Sequence, residues 1–238
     1  MKYIKFSIFF TIIVTIIFTC LFFYVLWRFS PTLPSYDTIL NYNPNLSSRV
    51  YTSDGVLLKS FYKEERIYTP IDRIPIKIKE AFISAEDKNF YEHSGIDIFA
   101  IFRASIKNIL NFSSDKRVVG ASTITQQVVK NILLTNEVTY ERKIKEILLS
   151  IRIENILSKD KILELYLNDI YLGFRSYGIA AASLNYFNKS INELDLSEIA
   201  FLASLPKAPN NYNPKKNYAK ALDRRNWVID RMYENGLI

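Results

Sequence analysis

One uncharged stretch near the N-terminus, residues 6–27, limits how the chain can fold more than any other feature. It is almost wholly apolar, and a helix needs about 20 such residues to cross the hydrocarbon core of a bilayer. Lys2 and Lys5 precede the stretch and only Arg28 follows it, which predicts a cytoplasmic N-terminus and an exported remainder. A cleaved signal peptide is the alternative, but its apolar region is shorter, at roughly 7–15 residues. We therefore predict that residues 1–28 form a cytoplasmic N-terminus and a transmembrane anchor.

The composition excludes several classes of protein. The one cysteine, Cys20, lies inside the apolar stretch, so a disulfide scaffold and a cysteine-rich metal site are both excluded. The one histidine, His93, argues against a multi-histidine zinc site. The net charge of +7 suggests an anionic partner, but the first 30 residues carry three basic and no acidic side chains, which leaves +4 for the rest. Zinc-finger spacing and an aromatic RNA-binding signature are absent from the sequence, so we predict no nucleic-acid partner.

The rest of the chain divides into a linker and one domain. Residues 29–48 are rich in proline and asparagine turn signals and are predicted to be the linker. Residues 49–70 have the pattern of a short β-hairpin, with two strands joined by an Asp-Gly turn. Beyond the hairpin the pattern is helical, with Ser158 and Asp195 as N-caps and helices predicted at 76–90, 97–111, 121–133, 139–157, 160–170, 177–186, 195–204 and 217–234. We therefore predict a mainly α domain over residues 49–238.

A carboxylate interrupts one apolar helical face in this domain. Glu86 shares a predicted face with apolar residues at spacings of four, namely Ile78, Phe82 and Phe90. Partial desolvation there would raise the pKa of Glu86 toward the range useful for a general base. The alternative is an ordinary carboxylate at a helix end that reaches water.

A polar segment that begins with a glycine leads into the helix predicted at 121–133. Ser122 and Thr123 can cap this helix, and their hydroxyl groups, together with the free N–H groups of its first turn, suit an anion. Gln127 and Lys130 follow on the helix itself. The alternative is a capped helix with a polar face and no ligand.

Two further pairs of polar residues lie on later helices. Arg142 and Glu146 are four residues apart, which by itself is typical of a solvated, ion-paired face. Glu164 and Asn168 also share a face, and by themselves they suggest a structural role. Together, Glu86 and Glu146 suggest acid–base chemistry on a sugar, and the neighbouring cations suggest a phosphate-bearing substrate. The residues alone therefore favour a membrane-anchored enzyme that acts on a charged, lipid-linked substrate.

Five segments resemble, in order, the motifs of the peptidoglycan glycosyltransferases, glycosyltransferase family 51. They are residues 86–95, 120–127, 142–146, 161–168 and 203–209. The first reads Glu-Asp-x-x-Phe-x-x-His-x-Gly and the third reads Arg-Lys-x-x-Glu, while Ala121 stands in the second where glycine is commoner. The resemblance covers roughly residues 49–232 and extends to the N-terminal transglycosylase part of class A penicillin-binding proteins and to monofunctional glycosyltransferases.

The resemblance implies a fold and a reaction. The fold is a lysozyme-like, two-lobed α domain. The reaction is the polymerisation of lipid II into β-1,4-linked glycan chains, with release of undecaprenyl pyrophosphate. Glu86 corresponds to the general base of an inverting attack, and Glu146 corresponds to the second essential carboxylate. Glu146 is also the implied ligand of a divalent cation, Mg²⁺ or Mn²⁺, and no organic cofactor is implied.

The resemblance also implies roles for other residues. Lys130, Arg142 and Lys145 would steady the leaving pyrophosphate, whose charge grows in the transition state. The donor pocket would be lined by Ser122, Thr123 and Gln127. The supporting residues would be Asp87, Phe90, His93, Gly95, Asn131, Lys143, Glu164 and Asn168. Of these, His93 and Asp87 would shape the loop after the base rather than react.

The helix predicted at 97–111 is strongly apolar, with Arg103 and Lys107 interleaved. It is either a buried helix or, as the small lobe of the family implies, a helix at the membrane interface, where basic residues meet anionic headgroups. The implied partners are lipid II as donor and acceptor, the growing glycan chain, the bilayer, and transpeptidases or other cell-wall synthesis proteins. The implied location is the bacterial inner (cytoplasmic) membrane, with the domain on its periplasmic or extracellular side.

Two alternative functions stay open at this stage. One is a lytic transglycosylase or muramidase-like hydrolase, which shares the lysozyme-like fold; the segments that suit a pyrophosphate argue against it. The other is a non-catalytic scaffold for cell-wall assembly, against which the complete set of carboxylates and cations argues. A length of 238 residues leaves no room for a transpeptidase domain, so we expect no transpeptidation by this chain.

Overall fold

The computed structural model describes residues 2–35, 37–40, 48–54, 57–61, 65–111, 120–135 and 137–238, and these are predominantly helical. The predicted mainly α class is therefore confirmed. Ser158 and Asp195 cap helices as predicted, and the Asp195 cap is a capping box with Glu198. The helices are α1 Lys2–Phe29, α2 Asp37–Leu40, α3 Ile76–Glu86, α4 Ile98–Leu110, α5 Ile124–Leu133, α6 Tyr140–Glu154, α7 Lys159–Asp169, α8 Ile179–Phe187, α9 Leu196–Ser204 and α10 Tyr218–Glu234.

Short strands lead into the helical domain. Strand β1 (Ser48–Tyr51) pairs antiparallel with β2 (Leu57–Phe61), so the predicted hairpin is confirmed, although its turn residue Gly55 lies outside the described residues. Strand β3 (Glu65–Arg66) pairs in parallel with β4 (Ser176–Tyr177). This pairing joins the end of the lead-in to the loop between α7 and α8.

Helix α1 meets the criteria of a membrane-spanning helix. The span Lys5–Thr32 has a mean hydropathy of 2.7 and is not buried in the protein, although a signal sequence near an N-terminus passes the same test. Just after its C-terminal end, Ser30 Oγ accepts a hydrogen bond of 3.4 Å from Nη2 of Arg152 on α6. Ile39, in the segment predicted to be a linker, is buried in the core. Part of that segment therefore packs on the domain in addition to joining it to α1.

The core forms around α7, whose residues from Ile162 to Asp169 are all buried. Helix α5 packs on α6 and α7, while α3, α9 and α10 pack on one another. The rings of Phe82 on α3 and Tyr166 on α7 meet edge to face, with their centroids 6.2 Å apart, and so connect the two groups of helices. This packing brings the C-terminal end of α3 beside the first turn of α5.

The helix predicted over 76–90 is too long, because α3 ends at Glu86. Asp87 leaves the helical conformation (φ −158°, ψ 73°), and its carboxylate turns to distant partners in α5 and in the following loop. The prediction that Phe90 shares a helix face with Glu86 is therefore wrong. Phe90 is instead fully buried in the core, with Nζ of Lys159 4.6 Å from the centroid of its ring.

Candidate active site

Glu86 ends α3 in the wall of a cleft of about 540 Å³. Its side chain is half-buried, and its Oε2 accepts a hydrogen bond of 2.8 Å from Nε2 of Gln127 on α5. The cleft is formed by the end of α3, by α4, by residues 120–123 and by the C-terminal half of α10. The charged residues that line it besides Glu86 are Asp87, Lys88, Asp97, Arg103, Lys107, Arg231 and Glu234.

The surroundings of Glu86 make it a better proton acceptor than an exposed glutamate. Burial is the largest influence and raises the pKa of Glu86 above its ordinary value. The hydrogen bond from Gln127 and the positive charges of Arg224 and Lys207 lower the pKa, and the charge of Asp87 raises it. The net result is a raised pKa, which is the property that a general base in a cleft requires.

Asp87 and His93 hold the loop that follows the base. The carboxylate of Asp87 accepts a hydrogen bond of 2.9 Å from the backbone N–H of Ile124 and lies 3.0 Å from Nε2 of His93. Asp87 is buried at the N-terminal end of α5, where the helix dipole favours an anion. Both side chains are thus engaged within the loop, which is the placement expected of loop-shaping residues.

Thr123 connects the same loop to α5. Its Oγ1 donates a hydrogen bond of 2.6 Å to the backbone oxygen of Gly95 and accepts one of 3.2 Å from the N–H of Gln126. The Gln126 side chain in turn accepts from the N–H of Thr123, which completes a capping box. Thr123 is buried and its hydroxyl caps the helix, whereas Ser122 is exposed at the cleft wall. Of the two hydroxyls, that of Ser122 is therefore the one open to a ligand.

Glu146 lies at the centre of a second cluster, on α6. It is 2% exposed, and its Oε2 accepts a hydrogen bond of 2.9 Å from Nη1 of Arg142, while Oε1 accepts one from Nζ of Lys143. Nζ of Lys143 also donates a bond of 2.9 Å to Oγ of Ser122. Lys143 therefore links the second carboxylate to the cleft, a more central position than the supporting role predicted for it.

The other two lysines predicted to steady the pyrophosphate, Lys130 and Lys145, lie apart from this cluster. Lys145 forms an ion pair of 2.9 Å with Glu141 on the outer face of α6. Within the ranges that the structure describes, the side chains of Lys130 and Asn131 form no hydrogen bond or ion pair, and Asn131 is exposed. Lys145 lines a second cavity of about 490 Å³, together with Arg142 and residues 31–34 after α1.

The residues around Glu146 do not fit a divalent cation. Both carboxylate oxygens of Glu146 already accept hydrogen bonds from cationic side chains. Among the described residues, no group of three or more His, Cys, Asp or Glu side chains could hold a metal ion. Glu146 is therefore an ion-paired carboxylate here and not one member of a metal-binding set.

Glu164 and Asn168 hold the segment that precedes α3. The carboxylate of Glu164 accepts hydrogen bonds from the hydroxyl of Tyr68 (2.6 Å) and from the N–H of Ile71 (2.8 Å). The Asn168 side chain accepts from the N–H of Thr69 and donates to its backbone oxygen, at 2.7 and 2.8 Å. These two residues thus hold the segment before α3 against α7, and they do not line the cleft of Glu86.

Three residues near Glu86 lie outside the predicted site. Lys207 and Arg224 act electrostatically on Glu86, and Trp227 lines the cleft. Lys207 belongs to the segment 203–209 and could have been included on that basis. Arg224 and Trp227 lie on α10, where the sequence shows only an amphipathic helix, so no local signal identifies them.

Comparisons with known proteins identify the family of the chain. Residues 54–233 match the Transglycosylase family. The chain is 53% identical over 215 residues to penicillin-binding protein 1A of Rickettsia bellii, and this match covers 90% of the chain and 27% of that protein. It is 48% identical over 208 residues to penicillin-binding protein 1A of Neisseria flavescens, covering 87% of the chain and 26% of the relative.

A solved structure of penicillin-binding protein 1A from Haemophilus influenzae is also similar, at 28% identity and a TM-score of 0.44, over 82% of this chain and 19% of that one. The chain spans about a quarter of the length of the curated relatives named here. Because the family match covers most of the chain, the chain belongs to the transglycosylase family, and the predicted membership is confirmed.

Replacement of Gly95 by Ala is expected to lower the free energy of unfolding by about 3 kcal/mol or more. Gly95 has a φ of +90°, and a Cβ atom there would lie 2.6 Å from the backbone oxygen of Ser150. Gly120→Ala is the control, because nothing lies within 4 Å of its Cβ position, and we expect a change below about 1 kcal/mol. Urea denaturation in detergent, followed by tryptophan fluorescence, measures both; equal effects would contradict the prediction.

Proposed function

We propose that the chain is a membrane-anchored peptidoglycan glycosyltransferase that polymerises lipid II, with Glu86 as the general base. The observation that carries the proposal is the half-buried carboxylate of Glu86, which lies in a wide cleft, has a raised pKa and accepts a hydrogen bond from Gln127. Membership of the transglycosylase family and the similarity to penicillin-binding protein 1A support it.

In the proposed reaction, Glu86 takes the proton from the 4-hydroxyl group of the acceptor's N-acetylglucosamine. The oxygen attacks the anomeric carbon of the donor as the bond to the pyrophosphate breaks. Attack from the opposite face inverts the configuration, forms a β-1,4 link and releases undecaprenyl pyrophosphate. The Gln127 amide holds the Glu86 carboxylate in place through its 2.8 Å hydrogen bond.

The cations of the second cluster stabilise the leaving group. Arg142 and Lys143 are fixed by the buried carboxylate of Glu146, and Lys143 reaches Ser122 at the cleft. Fixed donors that face a site of growing negative charge lower the transition-state energy without having to reorganise. Lys130 and Lys145 add positive charge at a greater distance. Together with Thr123, they are proposed to belong to the part of the site that binds the donor.

The proposed location is the inner membrane of a bacterium. Helix α1 spans the bilayer with its N-terminus in the cytoplasm, because Lys2 and Lys5 precede it, and the domain lies on the outer side. The proposed partners are lipid II, the growing glycan chain, the bilayer, and transpeptidases or other cell-wall synthesis proteins.

Helix α4 brings the cleft to the bilayer surface. Arg103 and Lys107 line the cleft, whereas Phe99 and Phe102 are 77% and 65% exposed. An exposed apolar face flanked by basic residues is typical of a helix in the membrane interface. Lipid II would then enter the cleft sideways from the bilayer.

Substitution of both Phe99 and Phe102 by Ser is tested in a version of the chain that begins at Phe29. We expect it to weaken binding to anionic liposomes by about tenfold or more, since each phenylalanine that enters the membrane interface contributes on the order of 1–2 kcal/mol. Liposome co-sedimentation measures this. The control replaces Tyr218 and Tyr233 by Ser, because these aromatics on α10 are equally exposed. Unchanged binding by the α4 variant would contradict the interface position.

The test of the proposed function is incubation of the full chain with purified lipid II and, separately, with finished glycan. Glycan chains formed from lipid II, with finished glycan left intact, are the expected result. Cleavage of the glycan would favour the hydrolase alternative, and no reaction with either substrate would favour the scaffold.

A further inference from the structure

Arg224 is held beside the wall of the cleft that contains Glu86. Helix α10 packs on α3, and near its C-terminal end Nδ2 of Asn235 donates a hydrogen bond of 3.1 Å to Oγ of Ser84. Trp227 on α10 lines the cleft together with Glu86. Cζ of Arg224 lies 3.6 Å from the centroid of the Trp227 ring, in a cation–π contact. The guanidinium is thus held on a ring that shares the cleft with the proposed base.

The charge of Arg224 has no contacting carboxylate. Among the described residues it forms no ion pair, and its Nε–H is buried without a hydrogen-bond partner. Burial lowers the pKa of Arg224, while the negative charge of Glu86 is the largest influence that raises it, and an arginine stays protonated in proteins. A buried donor without a partner is unfavourable for stability. A half-buried cation that is attracted mainly by the reactive carboxylate therefore indicates a role in the site.

Other groups also face Glu86, from every element packed around it. Lys207, in the loop before α10, is exposed, so water and salt screen its charge. Asp87 carries a like charge, and the phenol of Tyr166 on α7 is buried and uncharged, because burial raises its pKa well above the ordinary value. The cleft rim adds charges of both signs from Lys88, Asp97, Arg103, Lys107, Arg231 and Glu234. Arg224 differs from Lys207 in that an aromatic ring holds it in place and it is sheltered from solvent.

We propose that Arg224, stacked on Trp227, is a positioning residue whose fixed positive charge favours the ionised form of Glu86. This role rests on the proposed function, because it concerns the base of that reaction. Arg224 does not itself exchange a proton, and its effect reaches the substrate through Glu86.

The experiment compares pH–rate profiles of lipid II polymerisation by the full chain in detergent, for the wild type and the variants Arg224→Met, Arg224→Lys and Arg225→Met. Loss of the nearby positive charge makes the ionised carboxylate less favourable, so the acid limb of the Arg224→Met profile should move upward by about 0.5 pH unit or more. On that limb the variant would keep less than about a third of the wild-type rate. Arg224→Lys retains the charge and should keep the limb close to that of the wild type.

Arg225→Met is the matched control. Arg225 is the neighbouring arginine on α10, but its guanidinium bonds to Ser197 and Asn226 rather than facing Glu86, so its acid limb should not move. An unmoved limb in Arg224→Met, or an equal loss of rate at every pH, would overturn the proposal and leave Arg224 with a structural role. Activity retained by Glu86→Gln in the same assay would instead overturn the proposed base, so the two failures are distinguishable.

Discussion

Replacement of Glu86 by Gln is expected to reduce the rate of lipid II polymerisation by about 10³-fold or more, because an amide cannot take the proton of the attacking hydroxyl group. The new side chain has the same shape, and its oxygen can still accept the hydrogen bond from Nε2 of Gln127. The cleft should therefore keep its geometry while the base is lost. Gel analysis of glycan formed from labelled lipid II, at equal concentrations of wild type and variant, measures the effect.

The stability of this variant separates a lost base from a lost fold. Because burial raises the pKa of Glu86 in the folded protein, the folded state binds this proton more tightly than the unfolded state does. The ionised carboxylate therefore reduces the free energy of unfolding above the folded pKa, and this cost disappears as the pH falls below the unfolded value. Glu86→Gln removes the cost, so its thermal midpoint at neutral pH should equal or exceed that of the wild type.

Glu92→Gln is the control for Glu86→Gln. Glu92 lies in the turn after α3 and is exposed, so its loss should leave both polymerisation and the thermal midpoint at wild-type values. Full activity of the Glu86 variant would contradict the assignment of the base. A low thermal midpoint accompanied by low activity would attribute the loss to folding instead.

Apart from α2, which lies in the predicted linker, the helices were predictable because each carries a local signal. The apolar stretch of α1, the caps at Ser158 and Asp195, and the periodicity of α6 depend on neighbouring residues alone. The end of α3 was not predictable in this way. Asp87 leaves the helix and its carboxylate contacts the first turn of α5 and His93. The partner in α5, Ile124, is 37 positions away, and the spacing of four between apolar residues gives no information about so distant a contact.

The sequence predicted which residues belong to the site, but it did not predict which of them contact one another. The resemblance to the glycosyltransferases picked out both Glu86 and Glu146, whereas helical spacing alone left each with an ordinary alternative. Which lysine forms the ion pair with Glu146 depends on how α6 is rotated relative to the segment before α5. The structure turns Lys143 toward Ser122 and Lys145 toward Glu141, although the two lysines are only two residues apart.

The residues near Glu86 that the sequence did not identify as part of the site include two on α10. The helix predicted at 217–234 is confirmed as α10. The prediction of a helix cannot tell which part of the domain that helix packs against. Trp227 and Arg224 become neighbours of Glu86 only because α10 packs against α3, an interaction between segments some 140 residues apart in the chain.

Replacement of Glu146 by Gln is expected to lower the rate of polymerisation at saturating lipid II by roughly 10²-fold or more. The buried carboxylate holds Arg142 and Lys143 through its two oxygens, and Lys143 extends this contact to Ser122 at the cleft. An uncharged amide offers one acceptor oxygen and no charge, so both cations lose the fixed orientation proposed to stabilise the leaving pyrophosphate. The same lipid II assay measures the rate per folded molecule, with the folded fraction taken from thermal unfolding.

Glu154→Gln provides a matched control on the same helix. The Glu154 side chain is 6% exposed, accepts a hydrogen bond of 2.5 Å from Oγ1 of Thr125, and pairs with Nζ of Lys159 at 2.7 Å. It resembles Glu146 in burial and pairing, but its lysine partner Lys159 donates to the backbone oxygen of His93, whereas Lys143 donates to Ser122 at the cleft. Both variants should lower the free energy of unfolding by about 1–3 kcal/mol, while only Glu146→Gln should lose activity per folded molecule. Equal losses of activity in the two variants would mean that Glu146 acts through stability alone, because the feature that separates the two carboxylates is the link from Glu146 through Lys143 to Ser122 at the cleft.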